Sequence, residues 1–153
     1  GIAQQYVWAT SEAITGTGKT LPDAPGTYNA IKYNGAQVTA PATTTLIYVE
    51  FNGNCKLTVN DSDLPTVQVN ANELEIAGAT KSVTFSKLIV AEDAVVGWND
   101  AITFSGIVYN YGNIYGNGGT VTPANASNII YYGADANYIG TAWSAITKTP
   151  MPQ

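Results

Sequence analysis

The amino-acid sequence predicts an all-β chain: a β-solenoid-like, parallel β-helix type of stack of short strands with an extended N-terminal arm. An antiparallel β-sandwich or jelly roll is the alternative architecture. Three observations predict the class. The 153 residues include 19 Thr, 14 Asn, 15 Gly and 10 Tyr. Thr and Tyr suit a pleated, half-buried surface, and Asn and Gly supply tight turns. Short apolar pairs recur at a nearly fixed interval after residue 64. Hydrophobic residues make up 45% while the net charge is only -5, a balance that disordered chains do not show. The length suits a single domain.

Residues 1–27 read as an arm or long loop, and 28–153 as one β domain. Gln4–Ala9 could pair as a short strand, but Ser11–Thr27 holds three Gly and two Pro and has no clear period. Long loops are uncommon in compact domains, so the arm is expected to lie against something. Thr27–Tyr33 reads as a strand, with Asn34-Gly35 as a hairpin turn signal. Val38 extends that text and Pro41 ends it. Thr43–Phe51 is the most strand-like segment, with Ile47, Val49 and Phe51 on its apolar face. Asn52-Gly53 then turns the chain back into Cys55–Val59.

Beyond residue 64 the pattern becomes repetitive. Leu74-Glu75-Ile76, Leu88-Ile89-Val90, Ile102-Thr103-Phe104, Ile114-Tyr115 and Ile129-Ile130-Tyr131 start 14, 14, 12 and 15 residues apart. A second set, Val67/Val69, Val83/Phe85, Val95/Val96, Val108/Tyr109 and Val121, interleaves with it. A short fixed period marks a solenoid, in which each turn stacks on the last. The segments ANELEIAGA, SKLIVAEDA, DAITFSG, NIYGNGGTV and SNIIYYGA in particular resemble the β-helical repeats of bacterial surface adhesins and phage fibre proteins. The resemblance covers residues 64–135 and rests on pattern. It implies a stacked β structure on a cell or virion surface, commonly oligomeric and non-enzymatic.

The composition excludes much chemistry. His and Arg are both absent. There is thus no Ser-His-Asp or Cys-His catalysis, no imidazole metal ligand, and no guanidinium fork for phosphate or guanine. Six Lys against eleven acidic residues make a poor nucleic-acid binder. The single Cys55 allows no internal disulfide and reads as packed or as a lone thiol. No run of 18 apolar residues exists, so no membrane span is expected. Gly1–Thr10 lacks a basic segment and an apolar run, so no signal peptide is expected there. A start on Gly rather than Met reads as a processed end or a cloning remnant.

The candidate sites are few. Gly16-Thr17-Gly18-Lys19-Thr20 shares the end of a phosphate-binding loop, but Ala13 stands where the loop needs Gly, and no helix pattern follows. Asp61 and Asp63 form a weak calcium candidate within a good turn sequence. Glu73 and Glu75, two apart on a strand, share a solvated face. Glu92, Asp93 and Asp100 are the remaining carboxylates considered for glycoside chemistry. Trp98, in a turn-like context, and Tyr109, Tyr111 and Tyr115 are candidates for stacking on a glycan or on a protein partner. Tyr131, Tyr132 and Tyr138 form a second aromatic group. Asn60 and Asn125 lie in N-glycosylation triplets. Ile2, Tyr6, Val7 and Trp8 are the expected assembly anchors of the arm.

No cofactor and no enzymatic activity are expected. The expected function is that of an extracellular, cell-surface or virion-surface fibre or filament subunit. Its partner is itself, through β-strand contacts. A glycan-binding adhesin module is the second reading, and a polysaccharide-active enzyme the third.

Overall fold

The computed structural model describes residues 5–22 and 26–153. In chain order the strands are β1 (Ile14–Thr20), β2 (Ala30–Thr39), β3 (Tyr48–Asn52), β4 (Cys55–Thr58), β5 (Ser62–Val69), β6 (Glu73–Ala77) and β7 (Ser82–Val90). They continue with β8 (Val95–Trp98), β9 (Thr103–Asn110), β10 (Asn113–Gly116), β11 (Thr120–Val121), β12 (Ile130–Tyr132), β13 (Asn137–Ile139) and β14 (Thr149–Pro150). A 3-10 turn, Thr141–Trp143, is the one helical element among the described residues. Every strand pairing is parallel, and the chain winds as a β-solenoid of about seven turns.

Each coil has three faces. Face one stacks the arm at Trp8 on the first half of β2, then β3, the second halves of β5, β7 and β9, β12 and β14. Face two stacks β1, the second half of β2, β4, β6, β8, β10 and β13. Face three stacks the first halves of β5, β7 and β9 with β11.

Inward positions align from coil to coil. On face one Ile31, Val49, Val67, Leu88, Val108 and Ile130 form one buried column. On face two Cys55, Leu74, Val96 and Ile114 form another. On face three Val83, Phe104 and Val121 form the third. These columns meet in one continuous core, which includes Leu21 and has Ile14 packed against it. Burying apolar columns on all three faces is what makes separate short strands cohere.

The expected hairpins are corners instead. β2 runs through Asn34-Gly35, pairing with β3 before the bend and with β4 after it. Gly35 (φ 61) and Gly53 (φ 68) adopt the left-handed conformation that a tight turn also needs. The same chemistry therefore turns the chain onto the next face rather than back on itself. At these bends the inward set changes parity: Tyr33 and Ala36 are buried while Asn34 and Gly35 between them are exposed. Asn side chains tie successive corners together. Asn70 Nδ2 donates to Asn52 Oδ1 (2.9 Å), and Asn52 Nδ2 donates to the Tyr33 carbonyl (3.2 Å).

Three further expectations are corrected. The repeat is not 14 residues, because true partners Val49, Val67, Leu88, Val108 and Ile130 are 18, 21, 20 and 22 residues apart. Residues 14–20, read as loop, are strand β1. Of the expected strand 43–51, only the part from Tyr48 lies in a strand, β3.

Candidate functional site

The N-terminal arm is laid against its own chain. Val7 N–H donates to Asn29 Oδ1 (2.8 Å), Asn29 N–H donates to the Val7 carbonyl (2.9 Å), and Ala9 N–H donates to the Ala30 carbonyl (2.9 Å). Tyr6 stacks on Tyr48 with centroids 4.6 Å apart, and Trp8 meets Tyr48 edge-on at 5.7 Å. Lys32 Nζ lies 5.0 Å from the Trp8 ring centroid, a cation–π contact. Tyr48 donates to Glu50 Oε1 (3.1 Å); burial, and then the Glu50 charge, hold its phenol above the ordinary tyrosine range. Tyr6, Val7 and Trp8 nonetheless remain 38%, 47% and 38% exposed. Ile2 lies outside the described residues.

Among the described residues both ends of the solenoid have open edges. Among the described residues β1 pairs only with β2, β13 only with β10, and β14 only with β12. The core itself is closed at the C-terminal end. The 3-10 turn places buried Trp143 against Trp98 (5.8 Å), Phe104 (5.7 Å) and Tyr138 (4.6 Å).

Trp98 is not a surface residue. It is 1% exposed, stacks on Phe104 at 5.0 Å, and donates from Nε1 to the Gly118 carbonyl (2.7 Å). Its turn-like neighbours Asn99 and Asp100 begin a corner, whereas Trp98 itself ends β8 and points inward. Nor do the tyrosines form one patch. Tyr109 lies on face one, stacked on Tyr131 at 5.0 Å. Tyr111 is exposed at the next corner, and Tyr115 lies on face two. Tyr138 donates to the Tyr131 carbonyl (2.5 Å), and burial pushes its phenol up as well.

The carboxylates are scattered. Asp61 Oδ1 accepts from the backbone N–H of Ser82 (3.0 Å), and its Oδ2 lies 3.9 Å from Lys81 Nζ, so it serves a corner contact. Asp100 Oδ2 caps the Gly78 N–H (2.9 Å). Glu92 and Asp93 are exposed. Among the described residues no group of three His, Cys, Asp or Glu side chains converges, so the Asp61/Asp63 pair gains no third ligand of that kind. The GTGKT segment lies within strand β1, and among the described residues the next element is strand β2, not a helix. Cys55 is free and buried, its thiol donating to the Asn52 carbonyl (3.2 Å). Asn60 and Asn125 are exposed in turns.

Face two holds a feature that the sequence reading missed. A shallow trough there is lined by Glu73, Glu75, Gly97, Asn99, Tyr115 and Asn117. The available signal was a glycine inside an otherwise bulky strand, Val95-Val96-Gly97-Trp98.

No described helix is long and apolar enough to cross a membrane. No family model matches the chain, and neither a curated protein nor a solved structure matches it. The likeness to adhesin and phage-fibre repeats is therefore one of stacked β architecture alone.

Proposed function

We propose that the chain is a non-enzymatic structural subunit of an extracellular fibre, filament or virion surface, joined to copies of itself by β-strand contacts. The observation that carries this reading is the pair of open parallel edges on matching faces. The arm and β14 are the outermost layers of face one, and β1 and β13 those of face two. Stacking two copies head to tail would set the arm of one copy against β14 of the other; face one counts eight layers and face two seven, so β13 and the next copy's β1 then stand one layer apart. Such edges are templates for pairing unless they are blocked. Exposed Tyr6, Val7 and Trp8 at one end and Ile139 at the other add apolar surface to that contact. A heterologous interface of this kind does not close, so it propagates as a fibre.

Removal of residues 1–10 tests the reading. The shortened chain should keep its β-sheet circular dichroism, because the other coils retain their columns, yet run as a monomer under light scattering. A shortened chain that assembles to the size of the intact one would contradict the role given to Tyr6, Val7 and Trp8.

A further inference from the structure

Gly97 sits in the interior of β8, in outward register between Glu75 of β6 and Tyr115 of β10. A glycine there weakens the strand, by lost pairing surface and by backbone entropy. Elsewhere in the stack the fold itself requires glycine. At Gly106, for example, φ is 133 and a Cβ would collide with the Phe85 backbone. At Gly97 neither reason applies. Its φ is not left-handed, and a Cβ would meet Tyr115 Cβ at 3.6 Å, the Tyr115 carbonyl at 3.7 Å and Glu73 Oε1 at 4.0 Å, all ordinary contacts. The missing side chain instead leaves a notch in face two.

The walls of the notch have a consistent chemistry. Glu73 has no cationic partner within 4.0 Å among the described residues, and Glu75 has only the exposed Lys56 at 3.8 Å. Asn117 Nδ2 donates to Asn99 Oδ1 (3.2 Å), which leaves further amide donors and acceptors free. Tyr115 supplies an aromatic surface. The notch is an open one of about 400 Å³. A second trough of about 480 Å³ shares Glu73 and Glu75 and continues past Lys56 and Gln37 to Thr17. From β1 to β10 the two span five layer steps, roughly 24 Å at about 4.8 Å per strand.

We propose that this trough binds a neutral, hydroxyl-rich oligosaccharide lying along the stack, with one sugar ring seated over Gly97 against Tyr115. Carboxylates only accept hydrogen bonds, and sugar hydroxyls donate them. The Asn amides can do both. The apolar C–H face of a sugar packs on an aromatic ring. Two carboxylates disfavour phosphate and acidic sugars. The length of the trough favours a chain of sugars over a single one. The ring seat at Gly97 and Tyr115 lies on β8 and β10, away from the β1 edge that the trough reaches at Thr17, so Gly97→Val and Tyr115→Ala test sugar binding apart from self-assembly.

The test uses the intact chain on an array of neutral oligosaccharides, followed by calorimetric titration of the strongest binder. Gly97→Val fills the notch with a strand-favouring side chain, so Tm should hold or rise while affinity falls about tenfold or more, a loss of about 1.4 kcal/mol or more. Tyr115→Ala should lose affinity similarly, and Tyr109→Ala on face one should not. Absence of binding to any neutral glycan would overturn the proposal. So would binding that survives both Gly97→Val and Tyr115→Ala, or selective capture of an oligolysine peptide instead of sugar.

Discussion

Tyr33 and Tyr138 show how strongly single residues are committed to this core. Tyr33 is fully buried, stacks on Phe51 at 5.4 Å, and donates from its hydroxyl to the Thr20 carbonyl (2.8 Å). Burial, and secondarily Tyr28, raise its phenol above the ordinary value of about 10. Burial does the same for Tyr138. Below about pH 10 these phenols are neutral in both the folded and unfolded states and cost nothing. Above it the unfolded chain ionises while the folded one resists, so stability falls as pH rises. Thermal unfolding followed across pH 8–12 should show Tm falling above about pH 10, with a shallower fall in Tyr33→Phe; a flat profile would contradict the burial of these hydroxyls. At this scale the sequence was partly legible. Asn34-Gly35 and Asn52-Gly53 announced left-handed turns, but φ says only that the chain turns, not whether it returns antiparallel or moves to the next face. Trp98 was misplaced for a related reason. Polar neighbours mark the corner that follows it, while its own side chain faces the core.

At the scale of elements, the strands were legible where apolar and polar positions alternate. Leu74 and Ile76 are buried while Glu73 and Glu75 are exposed, as period two requires. β1 was illegible because ITGTGKT carries two glycines and exposes most of its side chains. What holds it is pairing with β2, a long-range effect. The 14-residue comb had a geometric origin: Leu74, Leu88 and Ile114 belong to faces two, one and two, so the comb steps through the faces instead of round the coil. The contacts that bind coil to coil are between inward columns. Phe104 stacks on Trp98 (5.0 Å), lies 5.5 Å from Phe85 and meets Trp143 at 5.7 Å. Phe104→Ala should therefore cost about 3–5 kcal/mol in urea unfolding. A cost within about 1 kcal/mol would mean that these coils are not packed as described.

The molecule as a whole is a stack whose stability comes from repetition and whose outermost strands, among the described residues, are paired on one side only. The trough on face two was hidden from sequence reading because Glu75, Gly97 and Tyr115 are brought together only by coil register. Head-to-tail growth would repeat that trough and the three core columns in every copy, each core closed by its own Trp143. It also fixes a length: the eight layers of face one at about 4.8 Å per layer give roughly 38 Å per subunit. The most direct measurement is therefore electron microscopy of the assembled chain with its axial repeat determined. The account predicts unbranched filaments with a rise of about 38 Å per subunit and parallel strands perpendicular to the axis. Particles that stay monomeric throughout the micromolar range, or filaments in which the solenoids lie side by side across the axis, would contradict it.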